Sequence, residues 1–127
     1  MRAIVIVTTV GTEEQANLIA RELVARRQAA CVNAVPGVRS TYRWKGKICT
    51  DGEIMLVVKT AAAEFDAVAA TIRELHAYER PEILSFPVDR GDPGFLRWIA
   101  DSVDKQAAFA DEDDDEAGDP AFASDDY

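Results

Sequence analysis

The sequence is poor in the residues from which disulfide frameworks and soft-metal sites are built. Its 127 residues include one histidine and two cysteines. Cys31 and Cys49 do not form a Cys-x-x-Cys pair, and two cysteines are too few for a disulfide framework. A fold that depends on disulfides is therefore excluded, and we expect reduced thiols, as in a cytoplasmic protein.

Long apolar runs are also missing from the sequence. No run approaches the roughly 20 residues that a membrane-spanning helix needs. The first residues lack the charged-then-apolar pattern of a signal peptide. We therefore expect a cytoplasmic protein without a membrane partner.

The common catalytic and nucleotide-binding signatures are absent as well. The sequence contains no Gly-x-Ser-x-Gly, no P-loop, no Gly-x-Gly-x-x-Gly and no His-Glu-x-x-His. The sequence thus indicates neither an enzyme nor an organic cofactor. An enzyme that uses Glu79 or Glu82 as an acid or base is a further hypothesis, supported only by that pair of carboxylates.

The formal net charge of −9 is confined to one end of the chain. Residues 1–103 contain thirteen Lys and Arg against thirteen Asp and Glu, whereas residues 104–127 contain one Lys against ten acids. A neutral body with an acidic tail argues against a nucleic-acid partner, because phosphates need clustered cations. We expect one globular domain over 1–103 and a disordered tail over 104–127, whose partner is unknown.

Hydrophobic periodicity predicts four strands and three helices in the order βαββαβα. The predicted strands are Ala3–Thr9, the pair Cys31–Val35 and Val38–Trp44 interrupted by Pro36-Gly37, Glu53–Lys59, and Ile83–Val88. The predicted helix caps are Thr12 with the capping-box partner Gln15, then Thr60, then Asp92 followed by Pro93. A tight turn at Lys45-Gly46-Lys47 makes the middle strands a long hairpin. Right-handed crossovers then favour an α+β, ferredoxin-like split βαβ fold, with one antiparallel sheet and a C-terminal helix.

The connection His76–Ile83 is the main candidate site, because it collects several polar groups between a helix and a strand. His76 and Glu79 are suitable copper or zinc ligands, and Cys31 would add a soft ligand if the fold brought it near. The alternative is structural: His76 ends the helix and bonds its last carbonyls, while Glu79 pairs with a neighbouring arginine. With only one histidine in the chain, that alternative is the favoured interpretation of a single subunit.

Three further side chains have two interpretations each. Lys59 either contacts an anionic ligand or lays its stem along apolar surface. Tyr42 and Trp44 share one face of the hairpin, where they line a cleft or pack against a partner subunit.

Four motifs occur in order along the sequence: Ala30-Cys31-Val32-Asn33, Ser40-Thr41-Tyr42-Arg43-Trp44-Lys45-Gly46, Glu53-x-x-Leu56-x-x-Lys59-Thr60 and His76-x-Tyr78-Glu79-x-Pro81-Glu82-Ile83. Together they resemble the CutA divalent-cation tolerance proteins. The resemblance covers about residues 3–103 and leaves the tail without a counterpart.

The resemblance implies a ferredoxin-like protomer in a homotrimer similar to the PII signalling proteins. It also implies divalent-cation binding, copper foremost, at clefts between subunits. The expected metal ligands are His76, Glu79 and Cys31, and the expected other cleft residues are Lys59, Trp44, Tyr78 and Glu82. The alternative function is a PII-like signalling or scaffold trimer that binds a small anion or metabolite.

This sequence departs from some relatives at two positions. Certain members have a cysteine at the end of the first strand and a second histidine at the end of the helix, where this chain has Thr8 and Leu75. The resemblance therefore leaves His76 as the main nitrogen donor and implies a weaker copper site.

Overall fold

The computed structural model describes residues 1–110, with side chains through residue 107. The elements are β1 (Ala3–Val10), α1 (Glu13–Ala25), β2 (Cys31–Trp44), β3 (Lys47–Ala61), α2 (Phe65–Leu75), β4 (Leu84–Pro87) and α3 (Pro93–Ser102). The four strands pair antiparallel in the order β2-β3-β1-β4. The βαββαβα order and the single antiparallel sheet are as predicted.

The hydrophobic core lies between one face of the sheet and the helices α1 and α2. It contains Ile4, Ile6 and Val10 of β1, Leu56 and Val58 of β3, Ile19 and Leu23 of α1, and Val68 and Ile72 of α2. These side chains come from alternate strand positions and from positions three or four apart on each helix, so each element presents one apolar stripe.

The opposite side of the sheet is called the open face here. The register pairs Val5 with Phe86, Val7 with both Val57 and Leu84, and Met55 with Val35, and directly paired residues share a side. Helix α3 covers only the end of this face near Ala3, where Ile99 is buried and the Lys59 ammonium lies 5.8 Å from the Phe95 ring centroid. The rest of the open face carries half-exposed and exposed apolar side chains.

The hairpin between β2 and β3 extends well beyond the sheet. Strand β1 pairs with β3 only as far as Ile54, so residues 38–53 form a two-stranded ribbon. Lys45 and Gly46 both have positive φ, 51° and 79°, which is the conformation of a type I′ turn. This turn matches the right-handed twist of the flanking strands, and it confirms the predicted turn.

Strand β2 runs continuously through Pro36-Gly37, where an interruption was predicted. Val35 pairs with Met55 and Val38 pairs with Glu53, so two residues of β2 lie opposite one residue of β3. This is a β-bulge. Pro36 is tolerated because β2 is an edge strand, and Gly37 adopts φ 78°.

The helix starts were predicted well at α1 and α3 and wrongly at α2. The Thr12 hydroxyl accepts from the Gln15 amide at 3.1 Å, and the Asp92 carboxylate accepts from the Phe95 amide at 3.0 Å. Thr60 is not a cap, because it lies within β3 and its hydroxyl donates to the Gln28 carbonyl at 2.6 Å. A 3-10 turn, Ala62–Glu64, leads into α2 instead.

The chain continues past residue 103 into a short 3-10 helix, Lys105–Ala110, in a segment predicted to be disordered. The Lys105 ammonium donates to the Glu64 carboxylate at 3.0 Å and to the Arg27 carbonyl. The prediction for residues 111–127 lies outside the described residues. None of the described helices is long and apolar enough to span a membrane.

Candidate functional site

A cleft of about 570 Å³ lies between the projecting hairpin and the connection that follows α2. The hairpin contributes Tyr42, Trp44, Asp51 and Glu53, and the connection contributes Tyr78, Glu79, Arg80 and Glu82. We call this the acidic cleft. Trp44, Tyr78, Glu79 and Glu82 were all predicted as site residues, and the fold brings them together here.

The charge of the acidic cleft favours a cation. Four carboxylates line it, from Asp51, Glu53, Glu79 and Glu82, and the only cationic side chain among the lining residues is Arg80. Asp51 and Glu53 each accept a hydrogen bond from a tyrosine, Tyr42 and Tyr78 respectively. Among the described residues, the Glu79 and Glu82 carboxylates have no hydrogen-bond or ion-pair partner. They are therefore available to a ligand, and Glu79 does not form the predicted pair with a neighbouring arginine.

The two tyrosines are held in their protonated form. The Tyr78 hydroxyl donates to Glu53 Oε2 at 2.8 Å, and burial together with this bond raises the pKa of Tyr78 to about 12. The Tyr42 hydroxyl donates to the Asp51 carboxylate, and this bond raises the pKa of Tyr42 to about 12. Each tyrosinate would face a carboxylate, so folding favours the neutral phenol.

Tyr78 reaches Glu53 by passing close to Gly11. A Cβ placed on Gly11 would lie 3.1 Å from the Tyr78 hydroxyl oxygen. The Tyr78 ring also packs on the His76 imidazole, with centroids 4.6 Å apart. A side chain at residue 11 would therefore require a shift of a few tenths of an ångström in the hydroxyl of Tyr78, the tyrosine that forms one wall of the cleft.

Both nitrogens of His76 are used within the protomer. Nε2 lies 2.7 Å from the Thr9 carbonyl oxygen, and Nδ1 lies 3.0 Å from the Tyr78 amide nitrogen. A carbonyl only accepts and an amide N–H only donates, so Nε2 carries the proton and Nδ1 offers its lone pair. The imidazole is therefore in its neutral Nε2–H form and joins β1 to the connection.

The Gln15 side chain of α1 forms hydrogen bonds to the same segment, on both sides of His76. Its side-chain amide donates to the Leu75 carbonyl at 2.7 Å and its oxygen accepts from the Ala77 amide at 3.1 Å. The predicted capping box is therefore incomplete, because Gln15 satisfies the end of α2 instead of returning to Thr12. The end of α2 is thus held by the Gln15 side chain of α1 and by the bond between the His76 side chain and the Thr9 carbonyl of β1.

Cys31 and Lys59 lie away from this cleft. They pair with each other across β2 and β3, and Lys59 also pairs with Val5 of β1. His76 meets β1 at Thr9, four residues farther along, which is roughly 13 Å at the strand rise. Within residues 1–110, no three His, Cys, Asp or Glu side chains come together to hold a metal ion. The expected set His76, Glu79 and Cys31 does not fit a metal within one protomer.

The site residues that the sequence reasoning missed include Asp51, Glu53 and Gln15. The two acids lie in the returning arm of the hairpin, where Asp51 pairs with Ser40 and Glu53 pairs with Val38. Only the fold shows that Asp51 contacts Tyr42 and that Glu53 contacts Tyr78. Gln15 was seen as a capping partner for its own helix. Gly11, a lone glycine between a strand and a helix, was a weak sequence signal for an anion site, and the structure shows that it allows the close approach of Tyr78 instead.

The antiparallel sheet and the helix arrangement define a ferredoxin-like, PII-like α+β fold. A sequence model described as "CutA1 divalent ion tolerance protein" matches residues 4–102. The chain belongs to the CutA1 divalent ion tolerance family.

Curated relatives agree with this membership. The divalent-cation tolerance protein CutA of Thermus thermophilus is 42% identical over 78% of this chain and 96% of its own length. The CutA homolog of Xenopus laevis is 44% identical over 67% of this chain, and protein CutA of Homo sapiens is 40% identical over 72%. The chain spans only about half the length of these two animal relatives, 56% and 51% respectively. None of the three names describes a reaction.

Solved structures of relatives share the fold. CutA of Xylella fastidiosa superposes with a TM-score of 0.79 at 41% identity, covering 80% of this chain and 98% of that one. CutA1 of Oryza sativa gives a TM-score of 0.80 at 34% identity, covering 83% of this chain and 96% of that one.

Proposed function

We propose that this chain acts in divalent-cation tolerance, as a cytoplasmic homotrimer that binds its cation where the acidic cleft of one subunit meets a neighbouring subunit. The observation that carries the proposal is the pair of unpaired carboxylates, Glu79 and Glu82, in a cleft with four acids and one arginine. Carboxylate oxygens suit divalent cations, and membership of the divalent ion tolerance family gives the same class of ligand.

The homotrimer is supported by the open face. Leu84 and Phe86 are 55% and 52% exposed, and they continue an apolar surface formed by Val5, Val7 and Val57. Contiguous apolar surface of this kind marks an interface between proteins. Both outer strands, β2 and β4, also end the sheet with unpaired backbone groups that a neighbouring subunit can pair.

Assembly is also what would complete a metal site. One protomer offers two free carboxylates, whereas divalent transition metals take four or more ligands. Cys31 lies on the edge strand β2 and is half-buried, so a neighbouring subunit can bring its thiol to another protomer's cleft. In this proposal Cys31 supplies the preference for copper over harder cations, since thiolate is a soft ligand.

A PII-like trimer that binds a small anion or metabolite is the alternative function, and the cleft does not favour it. Its carboxylates repel an anion. Lys59, the expected anion contact, lies outside the cleft with its ammonium over the Phe95 ring. The stem-packing interpretation of Lys59 agrees with this position.

Calorimetric titration of Cu²⁺ and Zn²⁺ into the purified full chain tests the proposal, with native mass spectrometry to count subunits. We expect trimers, and a loss of affinity of about tenfold or more in Glu79→Gln. Asp89→Asn is the control, because it removes the same charge from an exposed carboxylate outside the cleft. Equal affinities in wild type and Glu79→Gln, or a monomer that binds cations fully, would contradict the proposal.

A further inference from the structure

Both ring nitrogens of the His76 imidazole are hydrogen-bonded to backbone groups. Its Nε2–H donates to the Thr9 carbonyl, 67 residues away in sequence, and its Nδ1 accepts from the Tyr78 amide two residues on. A ligand histidine commonly donates one N–H to a backbone carbonyl and binds the metal through its other nitrogen. The Thr9 bond alone would therefore suit a metal ligand.

The hydrogen bond from the Tyr78 amide argues against His76 as a metal ligand. It lies 3.0 Å from Nδ1 and takes the lone pair that a metal would need. A cation at Nδ1 would displace this N–H and leave it without its acceptor, which has a cost in free energy. A metal at Nε2 would instead require breaking the 2.7 Å bond to Thr9.

The same two bonds fix the wall of the acidic cleft. Tyr78 is anchored through its amide to Nδ1 and through its ring to the imidazole face, and its hydroxyl then reaches Glu53 on β3. Glu79 is the next residue in the chain and one of the two free carboxylates. The position of this carboxylate thus depends on the hold that His76 has on β1.

We propose that His76 is a positioning residue that clamps the connection 76–83 onto β1 and sets the geometry of the acidic cleft, and that it is not a ligand of the cation. The second half of this inference rests on the proposed cation-binding function, whereas the clamp stands on the hydrogen bonds alone.

Nitrogen-15 spectroscopy of the imidazole tests the proposal, and it needs no assignment because the chain has one histidine. In the metal-free full chain we expect the neutral Nε2–H form. On saturation with Zn²⁺, which is diamagnetic, we expect both ring nitrogen shifts to stay in place. A shift of Nδ1 or Nε2 to the range of a zinc-bound imidazole would overturn the proposal.

Two conservative variants separate positioning from ligation. His76→Asn keeps an acceptor at the place of Nδ1, in the geometry of an Asx turn, and His76→Gln keeps a donor that reaches the Thr9 carbonyl. His76→Ala removes both bonds. Because His76→Asn and His76→Gln each keep one of the two bonds, we expect both to lose less Zn²⁺ affinity than His76→Ala, which should lose about tenfold or more. Equal losses in Asn and Ala would contradict a positioning role.

Amide exchange distinguishes failure of this inference from failure of the proposed function. In metal-free protein, we expect the Tyr78 amide to be protected in wild type and His76→Asn and to exchange at least about tenfold faster in His76→Ala. Amides within α2 are the internal control for folding. If wild type binds no Zn²⁺, the proposed function fails, and Tyr78 protection still tests the clamp. Equal Tyr78 protection in all variants would refute it.

Discussion

The two faces of the sheet are formed by the same strands and similar apolar residues. One face, called the sealed core here, is buried under α1 and α2, whereas most of the open face is uncovered. Ile6, Leu56 and Val58 are fully buried against α1 and α2, at 0% exposure. Leu84 and Phe86, on the other side, remain more than half exposed. The comparison shows that one protomer completes its core but leaves a second apolar surface, beside the acidic cleft, partly exposed.

Matched leucine truncations give the largest expected difference between the faces. Leu56→Ala should lower the free energy of unfolding by about 2–5 kcal/mol at every protein concentration, because it leaves a cavity in the sealed core. Leu84→Ala on the open face should cost less, and its cost should grow with protein concentration as assembly contributes. Urea unfolding at several concentrations measures both. A Leu56→Ala variant no less stable than Leu84→Ala at low concentration would break the comparison.

A charge on the open face should separate assembly from folding. Phe86→Asp places a carboxylate where we expect an interface, and burying it unpaired is costly, so the proposed trimer should dissociate at micromolar concentrations. Far-ultraviolet circular dichroism should remain that of the folded chain. Leu18→Asp is the control, since Leu18 is an exposed apolar residue on α1. Light scattering after gel filtration gives the masses, and an intact Phe86→Asp trimer would rule out this interface.

The tyrosines of the acidic cleft should make the stability of the protein depend on pH in the alkaline range. The pKa values of Tyr42 and Tyr78 are raised from 10 to about 12, so the folded state favours the protonated phenols. Their stabilisation is fully present below pH 10 and is lost as the pH rises from 10 through 12. Tyr78→Phe should flatten the fall of stability in this window, and absorbance titration should lose one late-ionising phenol. Ionisation of Tyr78 near 10 would contradict its bond to Glu53.

The smallest expected effect is a gain within the sealed core. The Thr8 hydroxyl is fully buried among Ile6, Val10 and Leu56, and it finds no hydrogen-bond partner among the described residues. Thr8→Val keeps the shape and removes the unpaired group, so the free energy of unfolding should rise by about 1 kcal/mol. Thr9→Val, one residue along and on the open face, is the control and should not stabilise. Thermal unfolding of both variants measures the difference, and a destabilised Thr8→Val would show that the hydroxyl is satisfied.

Local signals in the sequence were enough for much of the fold. The caps at Thr12 and Asp92 and the turn at Lys45-Gly46 are set by groups within a few residues, so their patterns could be recognised. Thr60 has the same residue type as a cap, but the sheet recruits it for β3 and bonds it to Gln28. Pro36-Gly37 was interpreted as an interruption of the strand, because proline and glycine are typical both of a β-bulge and of a strand end. Only the pairing of β2 with β3 distinguishes the two.

The candidate site was predicted in part for the same reason. Tyr78, Glu79 and Glu82 are adjacent in the sequence and could be identified as one polar connection. Asp51 and Glu53 join them only because the hairpin register turns these acids toward Tyr42 and Tyr78. Cys31 was grouped with His76 on residue type and on the resemblance to the family, and within one protomer the register places Cys31 beside Lys59 and away from His76.

The sequence by itself determined the strand and helix pattern, the neutral body with an acidic tail, and the motifs of the family, because each depends on composition or on neighbours in the chain. Only the tertiary structure decided what His76 does. Its ring bonds a carbonyl 67 residues away, and its remaining lone pair is taken by an amide whose position follows from that contact. The role of this histidine is fixed by strand register and helix packing, which create contacts that no local pattern contains.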